Sequence, residues 1–229
     1  TTTVSPYGGN GGNGGGIANF GTLTLQGCRV ENNTTGKGGD AFTNPIHGPY
    51  LKAAGAGGDG GVIYNGNGNK LTLYNSMIRD NKTGDGGQSA HIWYSCTKTG
   101  NGGKGGGIYN SGSLRVTHCI IHQNSTGSAI YSGWDGACSG DGGSGGGIFN
   151  SGNLFLSNST LSKNYTGNGS MGDGGGTGEG GHGGGLYNSG NNSQVINCTF
   201  SGNYTDDNLD IEFRYIGNGG GIFNTGGSL

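Results

Sequence analysis

Three groups of residues in this 229-residue chain have the types and spacing that chemistry requires. The first is five Asn-x-Thr phrases at Asn33, Asn81, Asn124, Asn164 and Asn203, completed by Thr35, Thr83, Thr126, Thr166 and Thr205. Asn-x-Thr is the acceptor phrase for N-glycans. Two readings stand for these five: they carry glycans, or the asparagines point inward and the threonines support a bend. Further sequons begin at Asn32, Asn158, Asn168, Asn191 and Asn197.

The second group is the five cysteines. Cys96 and Cys138 lie in variable segments of consecutive repeats and are expected to form a disulfide, which fits an oxidising compartment. Cys28, Cys119 and Cys198 occupy one repeated position and are expected as buried free thiols. Stacked two rungs apart at ~4.8 Å per rung, they would be ~9.6 Å from each other, beyond disulfide reach. No Cys-x-x-Cys pair suggests zinc, and no metal or other cofactor is expected.

The third group is the carboxylates. Glycoside hydrolysis needs two of them facing each other across a groove. Asp206 and Asp207 with Asp210 and Glu212 form the one cluster, and all four sit in one variable segment. A solvated acidic loop is the plainer reading, and no residue is assigned a catalytic role. The net charge of −2 and the lack of a basic run argue against nucleic acid. No apolar run approaches the ~20 residues that span a bilayer.

These residues are positioned by a repeat. Gly105-Gly106-Gly107-Ile108-Tyr109-Asn110 recurs at 14–19, 60–65, 145–150, 183–188 and 219–224. A second phrase follows each of the first five copies, as in Leu114-Arg115-Val116-Thr117-His118-Cys119-Ile120-Ile121, and its apolar residues alternate. Period two means strands with one buried face. Short strands at a recurring spacing, each unable to bury its face alone, imply a stacked parallel β-helix.

Ile17, Ile63, Ile108, Ile148, Leu186 and Ile222 would then form one interior column, and Val30, Ile78, Ile121, Leu161 and Phe200 another. Asn65, Asn110, Asn150, Asn188 and Asn224 align as a possible amide ladder, as do the five sequon asparagines. Tyr64, Tyr109, Phe149, Tyr187 and Phe223 would form an outward aromatic column that either supports stacking or binds a sugar or partner.

The Gly-Gly-Gly-Ile phrases and Phe200-Ser201-Gly202-Asn203 resemble the repeats of right-handed parallel β-helix proteins of bacterial cell surfaces, the chlamydial polymorphic outer membrane proteins in particular. The likeness extends over nearly the whole chain at the level of the repeat. It implies a right-handed coil, an extracellular or cell-surface location and an adhesive or structural role, with no catalytic residues.

Sixty glycines are too many for an ordinary globular core. Before each opening phrase they keep a period of three, as in Gly102-Gly103-Lys104-Gly105-Gly106-Gly107. That register suits a polyglycine-II-like extended helix with three residues per turn; glycine-enriched loops are the alternative. The expected fold is all-β: a right-handed parallel β-helix solenoid with polyglycine-II-like inserts between rungs. One domain, 1–229, holds five full repeats and an incomplete sixth, and 1–7 form a possible donor-strand arm.

Thr1, Thr2, Thr3 and Val4 are read as a strand that completes the rung left unfinished at Ser228 and Leu229 of the next copy. The expected function is an extracellular structural subunit of a head-to-tail filament of copies of itself, carrying N-glycans on the sequon reading. The alternative is a monomeric surface adhesin that binds glycans through Trp93, Tyr94, Tyr131 and Trp134. A polysaccharide-active enzyme is the weaker third reading.

Overall fold

The computed structural model describes residues 8–41, 53–89, 97–130, 137–172, 176–205, 216–226 and 229. The described secondary structure is β, with the strands stacked into a parallel solenoid. The opening phrases form a six-stranded sheet of Ile17–Asn19, Ile63–Asn65, Ile108–Asn110, Ile148–Asn150, Leu186–Asn188 and Ile222–Asn224, in that order. The second phrases form two five-stranded sheets. One is made of Thr22–Gln26, Lys70–Tyr74, Ser113–Thr117, Asn153–Ser157 and Asn192–Ile196. The other is made of Arg29–Glu31, Met77–Arg79, Ile120–His122, Thr160–Ser162 and Thr199–Ser201.

Register follows the repeat. Ile108 pairs with Ile148, Ile148 with Leu186, and Ile121 with both Ile78 and Leu161. The core is therefore a set of like side chains one above another. Ile63, Ile108, Ile148 and Leu186 are fully buried, as are Ile78, Ile121 and Leu161. Ile17, Val30, Phe200 and Ile222 pack against this core from the outer rungs and are half-buried.

Each full rung passes three times through left-handed backbone: at the glycine that opens the first phrase (Gly14, Gly60, Gly105, Gly145 and Gly183) and at two corners of the second phrase. One corner column is Gly27, Asn75, His118, Asn158 and Asn197; the next is Asn32, Asp80, Gln123, Lys163 and Gly202. Asparagine and glycine suit this conformation, whereas a lysine or glutamine there is strained.

Beside the first corner the side chain must both donate and accept. Ser76 Oγ donates to Tyr74 O (2.9 Å) and accepts the Cys28 N–H (3.1 Å); Ser159 Oγ donates to Ser157 O (2.7 Å) and accepts the Cys119 N–H (3.0 Å). Cys119 does the same through sulfur, donating to Thr117 O and accepting the Ser76 N–H. This explains why the position is serine or cysteine.

Among the described residues the free thiols are Cys28, Cys119 and Cys198. Cys119 is buried, and burial pushes its thiol above the usual range. Cys28 and Cys198 depart from the expected full burial: they are half-buried, because a corner neighbour covers them on one side only.

The glycine segments form a second body alongside the sheets. Within one segment, three consecutive N–H groups point three ways. Gly57 donates to Asn101 O on the next rung, Gly58 to Gly36 O on a segment leaving the sheets, and Asp59 to the Asn13 side chain on the preceding rung. Gly102, Gly103 and Lys104 repeat the pattern with Asp141 O, Gly84 O and Asp59 Oδ1. A helix of three residues per turn would fan its donors in this way. The segments are close enough that a Cβ on Gly58 would strike Gly12 O and one on Gly103 would strike Gly58 O.

The interior amides set the cost of breaking a rung. Asn124 is fully buried and uses all four of its valences. Its Oδ1 accepts from Asn81 N (3.2 Å) and Asn81 Nδ2 (2.8 Å), while its Nδ2 donates to Ile78 O (3.1 Å) and Asn164 Oδ1 (3.0 Å). Asn124→Ala strands buried groups on both neighbouring rungs and is expected to cost roughly 3 kcal/mol or more, measured as the shift in a denaturant midpoint. A loss under ~1 kcal/mol would mean that the amide column is not what holds the rungs in register.

Candidate functional site

The candidate sites are the side-chain columns, since each chemistry-bearing residue type recurs along the axis. The first amide column runs Asn19, Asn65, Asn110, Asn150, Asn188 and Asn224, with Nδ2-to-Oδ1 distances of 2.7, 2.6, 2.6, 2.7 and 2.8 Å. The second contains the five sequon asparagines, at 3.1, 2.8, 3.0 and 2.9 Å from Asn33 to Asn203. In the second column each Oδ1 from Asn81 onward also accepts the backbone N–H of the preceding asparagine.

The sequon threonines join the two bodies of the fold. Thr35, Thr83, Thr126, Thr166 and Thr205 donate through Oγ1 to Gly58, Gly103, Gly143, Gly181 and Gly217 carbonyls, at 2.6–2.9 Å. Three of these oxygens also accept a glycine N–H from the following rung: Thr35 from Gly84, Thr83 from Gly127 and Thr126 from Gly167, each at 2.7 Å. Asn-x-Thr is thus a structural phrase here: asparagine builds the ladder, and threonine clamps the sheet body to the glycine body.

The placement bears directly on glycosylation. Asn81, Asn124 and Asn164 are at most 1% exposed, and their Nδ2 atoms are committed as donors. A glycan replaces one of those hydrogens and needs solvent beside it. Asn33 and Asn203 belong to the same ladder and are half-buried. The exposed sequon asparagines are Asn32, Asn158, Asn191 and Asn197.

The outward aromatic column is a stack. Tyr64, Tyr109, Phe149 and Tyr187 lie 5.0, 5.2 and 4.7 Å apart between ring centroids, each pair 8° from parallel, and Phe223 follows at 5.6 Å. Lys104 Nζ sits 5.1 Å over Phe149, and the His182 ring stacks on Phe223 at 4.5 Å. The interior rings spend their faces on one another and turn their edges outward. A sugar platform needs an open face, so this column supports stacking.

Asp59 and Tyr109 are the perturbed groups beside the column. Burial pushes the Tyr109 phenol up, with the Asp59 and Tyr64 charges adding to it. Burial also pushes the Asp59 carboxyl above the usual range, outweighing the Lys104 backbone N–H that it accepts at 2.7 Å.

Among the described residues, no group of three or more His, Cys, Asp or Glu is placed to hold a metal ion, and no helix is long and apolar enough to cross a membrane. Several sequence expectations fall outside the described residues: the Asp206, Asp207, Asp210 and Glu212 cluster, Trp93, Tyr94, Tyr131 and Trp134, and the assembly residues Thr1, Thr2, Thr3, Val4 and Ser228. Leu229 is described and is 45% exposed. Thr97–Lys98 pairs in parallel with Ala137–Cys138. Cys96, the expected partner of Cys138, is outside the described residues.

Sequence reading missed a third kind of column. Where the non-glycine residue of a glycine segment carries a short side-chain acceptor, it caps an N–H on the following rung. Asn10 accepts from Ala56 N, Asn101 from Asp141 N, Asp141 from Glu179 N, Ser144 from His182 N and His182 Nδ1 from Asn218 N. The preference for Asn, Asp, Ser and His at that place was the available signal. No protein family, curated protein or solved structure matches the chain.

Two predictions follow from this geometry. When the chain is produced in a host that glycosylates Asn-x-Thr, peptide mapping of the folded protein should find Asn81, Asn124 and Asn164 bare. Sugar on Asn124 in a folded chain would contradict the ladder. The second concerns pH. A carboxyl raised in the folded state stabilises only below its unfolded value, about 3.9, and that contribution is lost as pH rises through the folded value. Asp59→Asn keeps the acceptor that Lys104 N–H needs, as Asn13 shows one rung earlier. It should raise the thermal midpoint at pH 7 and give a gain that shrinks toward pH 3; an equal gain at both pH values would refute the burial argument.

Proposed function

We propose that this chain is an extracellular structural protein, a subunit that stacks head to tail on copies of itself to form a filament or surface fibre. The observation that carries the reading is the polarity of the rung interface. From Asn19 to Asn188 in one amide column and from Asn33 to Asn203 in the other, each ladder bond runs from an Nδ2–H to the Oδ1 of the following rung.

Such an interface matches itself only in one orientation. Forward face on backward face continues every ladder, whereas two forward faces set donors against donors. Heterologous contact of this kind does not close, and so grows into a filament.

Secretion to a cell surface, in bacteria by resemblance of the repeat phrases, completes the proposal. A Cys96–Cys138 disulfide fits that compartment, and any glycans fit best at the exposed sequons. Negative-stain microscopy with sedimentation velocity tests the reading. Unbranched rods one solenoid wide, lengthening with protein concentration, are expected. Monomer alone across the micromolar to millimolar range would defeat it.

A further inference from the structure

An asparagine followed by glycine carries both partners of a reaction. The side-chain amide carbon is an electrophile, and the glycine nitrogen, with no Cβ beside it, is a nucleophile. Asn-Gly pairs begin at Asn10, Asn13, Asn65, Asn67, Asn101, Asn168 and Asn218. What separates them is how the coil holds each one.

Most are held at both reacting groups. Asn10 Oδ1 accepts the Ala56 N–H and Asn13 Oδ1 the Asp59 N–H, at 2.9 and 2.8 Å. The nitrogens that follow, Gly11 and Gly14, donate to Ala56 O and Asp59 O, each at 2.9 Å. Asn101 repeats the pattern: its Oδ1 accepts the Asp141 N–H at 3.0 Å, and Gly102 donates to Asp141 O at 2.9 Å. Asn65 is fully buried in the amide ladder, and Gly66 donates to Asn19 O at 3.3 Å. Asn168 is half-buried, and Gly169 is engaged. Asn218 lies on the last described rung, so its cover depends on whether another copy follows. Asn10 and Asn13 are themselves exposed, so exposure alone does not free a pair.

Asn67-Gly68 is free at both groups. The two residues are exposed, and neither the Asn67 amide nor the Gly68 N–H has a hydrogen-bond partner among the described residues. They are the middle of a turn closed by the Asn69 N–H on Gly66 O at 3.3 Å, with Gly68 at φ +77°. The approach is open, since a Cβ on Gly68 would meet nothing within 4 Å.

We propose that Asn67 is a self-modification site that converts to aspartate and isoaspartate without an enzyme. The Gly68 nitrogen attacks Asn67 Cγ and gives its proton to solvent base. The new C–N bond closes a cyclic imide, and the Cγ–Nδ2 bond breaks to release ammonia. Water then opens the imide at either carbonyl, leaving aspartate or its β-linked isomer. Nothing is oxidised or reduced, and water is the one co-reactant. A held pair must first give up two hydrogen bonds, each worth roughly a factor of five in rate, or about 25 together. The product places a new negative charge beside Lys70, which is exposed. The rung contacts of the turn run through Asn69 and survive the change: its Nδ2 donates to Asn19 O at 3.3 Å, and its O accepts the Ser113 N–H at 2.8 Å.

The test follows the dispersed full chain in mildly alkaline buffer by peptide mapping, with isoaspartate counted by enzymatic methylation. Conversion at Asn67 is expected to outpace that at Asn10, Asn13, Asn65 and Asn101 by about tenfold or more. In denaturant these rates should draw level, because the fold and not the dipeptide sets the difference. Asn67→Gln, whose ring closure would need one more atom, should abolish the signal at this turn. Two results would overturn the proposal: conversion at Asn67 no faster than at the held pairs in the folded chain, or an equal excess at Asn67 that persists in denaturant. Filament formation has no part in this reading, and its failure would leave these rates unchanged.

Discussion

A buried primary amide has two donors and two acceptor lone pairs, and all four must be met. In this solenoid they are met by the same amide one rung above and one rung below, together with backbone groups of the neighbouring rungs. Asn110 shows the constraint: Asn65 Nδ2 donates to its Oδ1 at 2.6 Å, and its own Nδ2 donates to Asn150 Oδ1 at 2.6 Å. A rung slipped by one residue would put an apolar or outward side chain at that level and strand the amide. Apolar columns alone tolerate exchange among Ile, Leu and Val, as Ile148 over Leu186 shows. The amide columns do not, so they fix register while the aliphatic columns supply most of the burial.

The glycine body solves a related problem by another route. Backbone N–H groups turned in three directions need partners in three directions, and two are supplied by neighbouring segments at distances that exclude a Cβ. The third faces outward, where a short side-chain acceptor from the adjacent rung meets it, as Asn101 meets Asp141 N at 3.0 Å. Composition follows from this: two glycines for the packed directions and one polar residue for the open one. The threonine clamps then tie this body to the sheets, so that neither slides along the other.

Much of this was legible in the sequence because the repeat writes each column out several times. The strand order, the pairing of Ile63 with Ile108, the stacked rings and both asparagine columns follow from aligning the phrases. What escaped were the partners between the two bodies. Thr83 to Gly103 spans 20 residues and Thr166 to Gly181 only 15, and no periodicity ties a threonine to a glycine at a variable distance. The same gap left the sequon phrase ambiguous, because its sequence is identical whether the asparagine faces a core or solvent. The serine-or-cysteine corner is set by the need to donate and accept at once, which the spacing of the phrases does not reveal.

A scaffold built this way constrains where any further activity can reside. Interior columns cannot vary without stranding a hydrogen bond on a neighbour, and the stacked rings cannot offer a face without breaking the stack. Freedom remains in the turns, where the requirement is a glycine at the close approach and nothing more. The Ser-Gly turn at Ser111 and Ser151 meets that requirement with the fewest residues, and it spends each hydroxyl on the preceding rung. The rung-2 turn, two residues longer, keeps these contacts: Asn69 Nδ2 donates to Asn19 O on the preceding rung at 3.3 Å, and Asn69 O accepts the Ser113 N–H of the following rung at 2.8 Å. Its two extra residues, Asn67 and Gly68, are exposed, so the coil admits an insertion at this turn without giving up a rung-to-rung hydrogen bond.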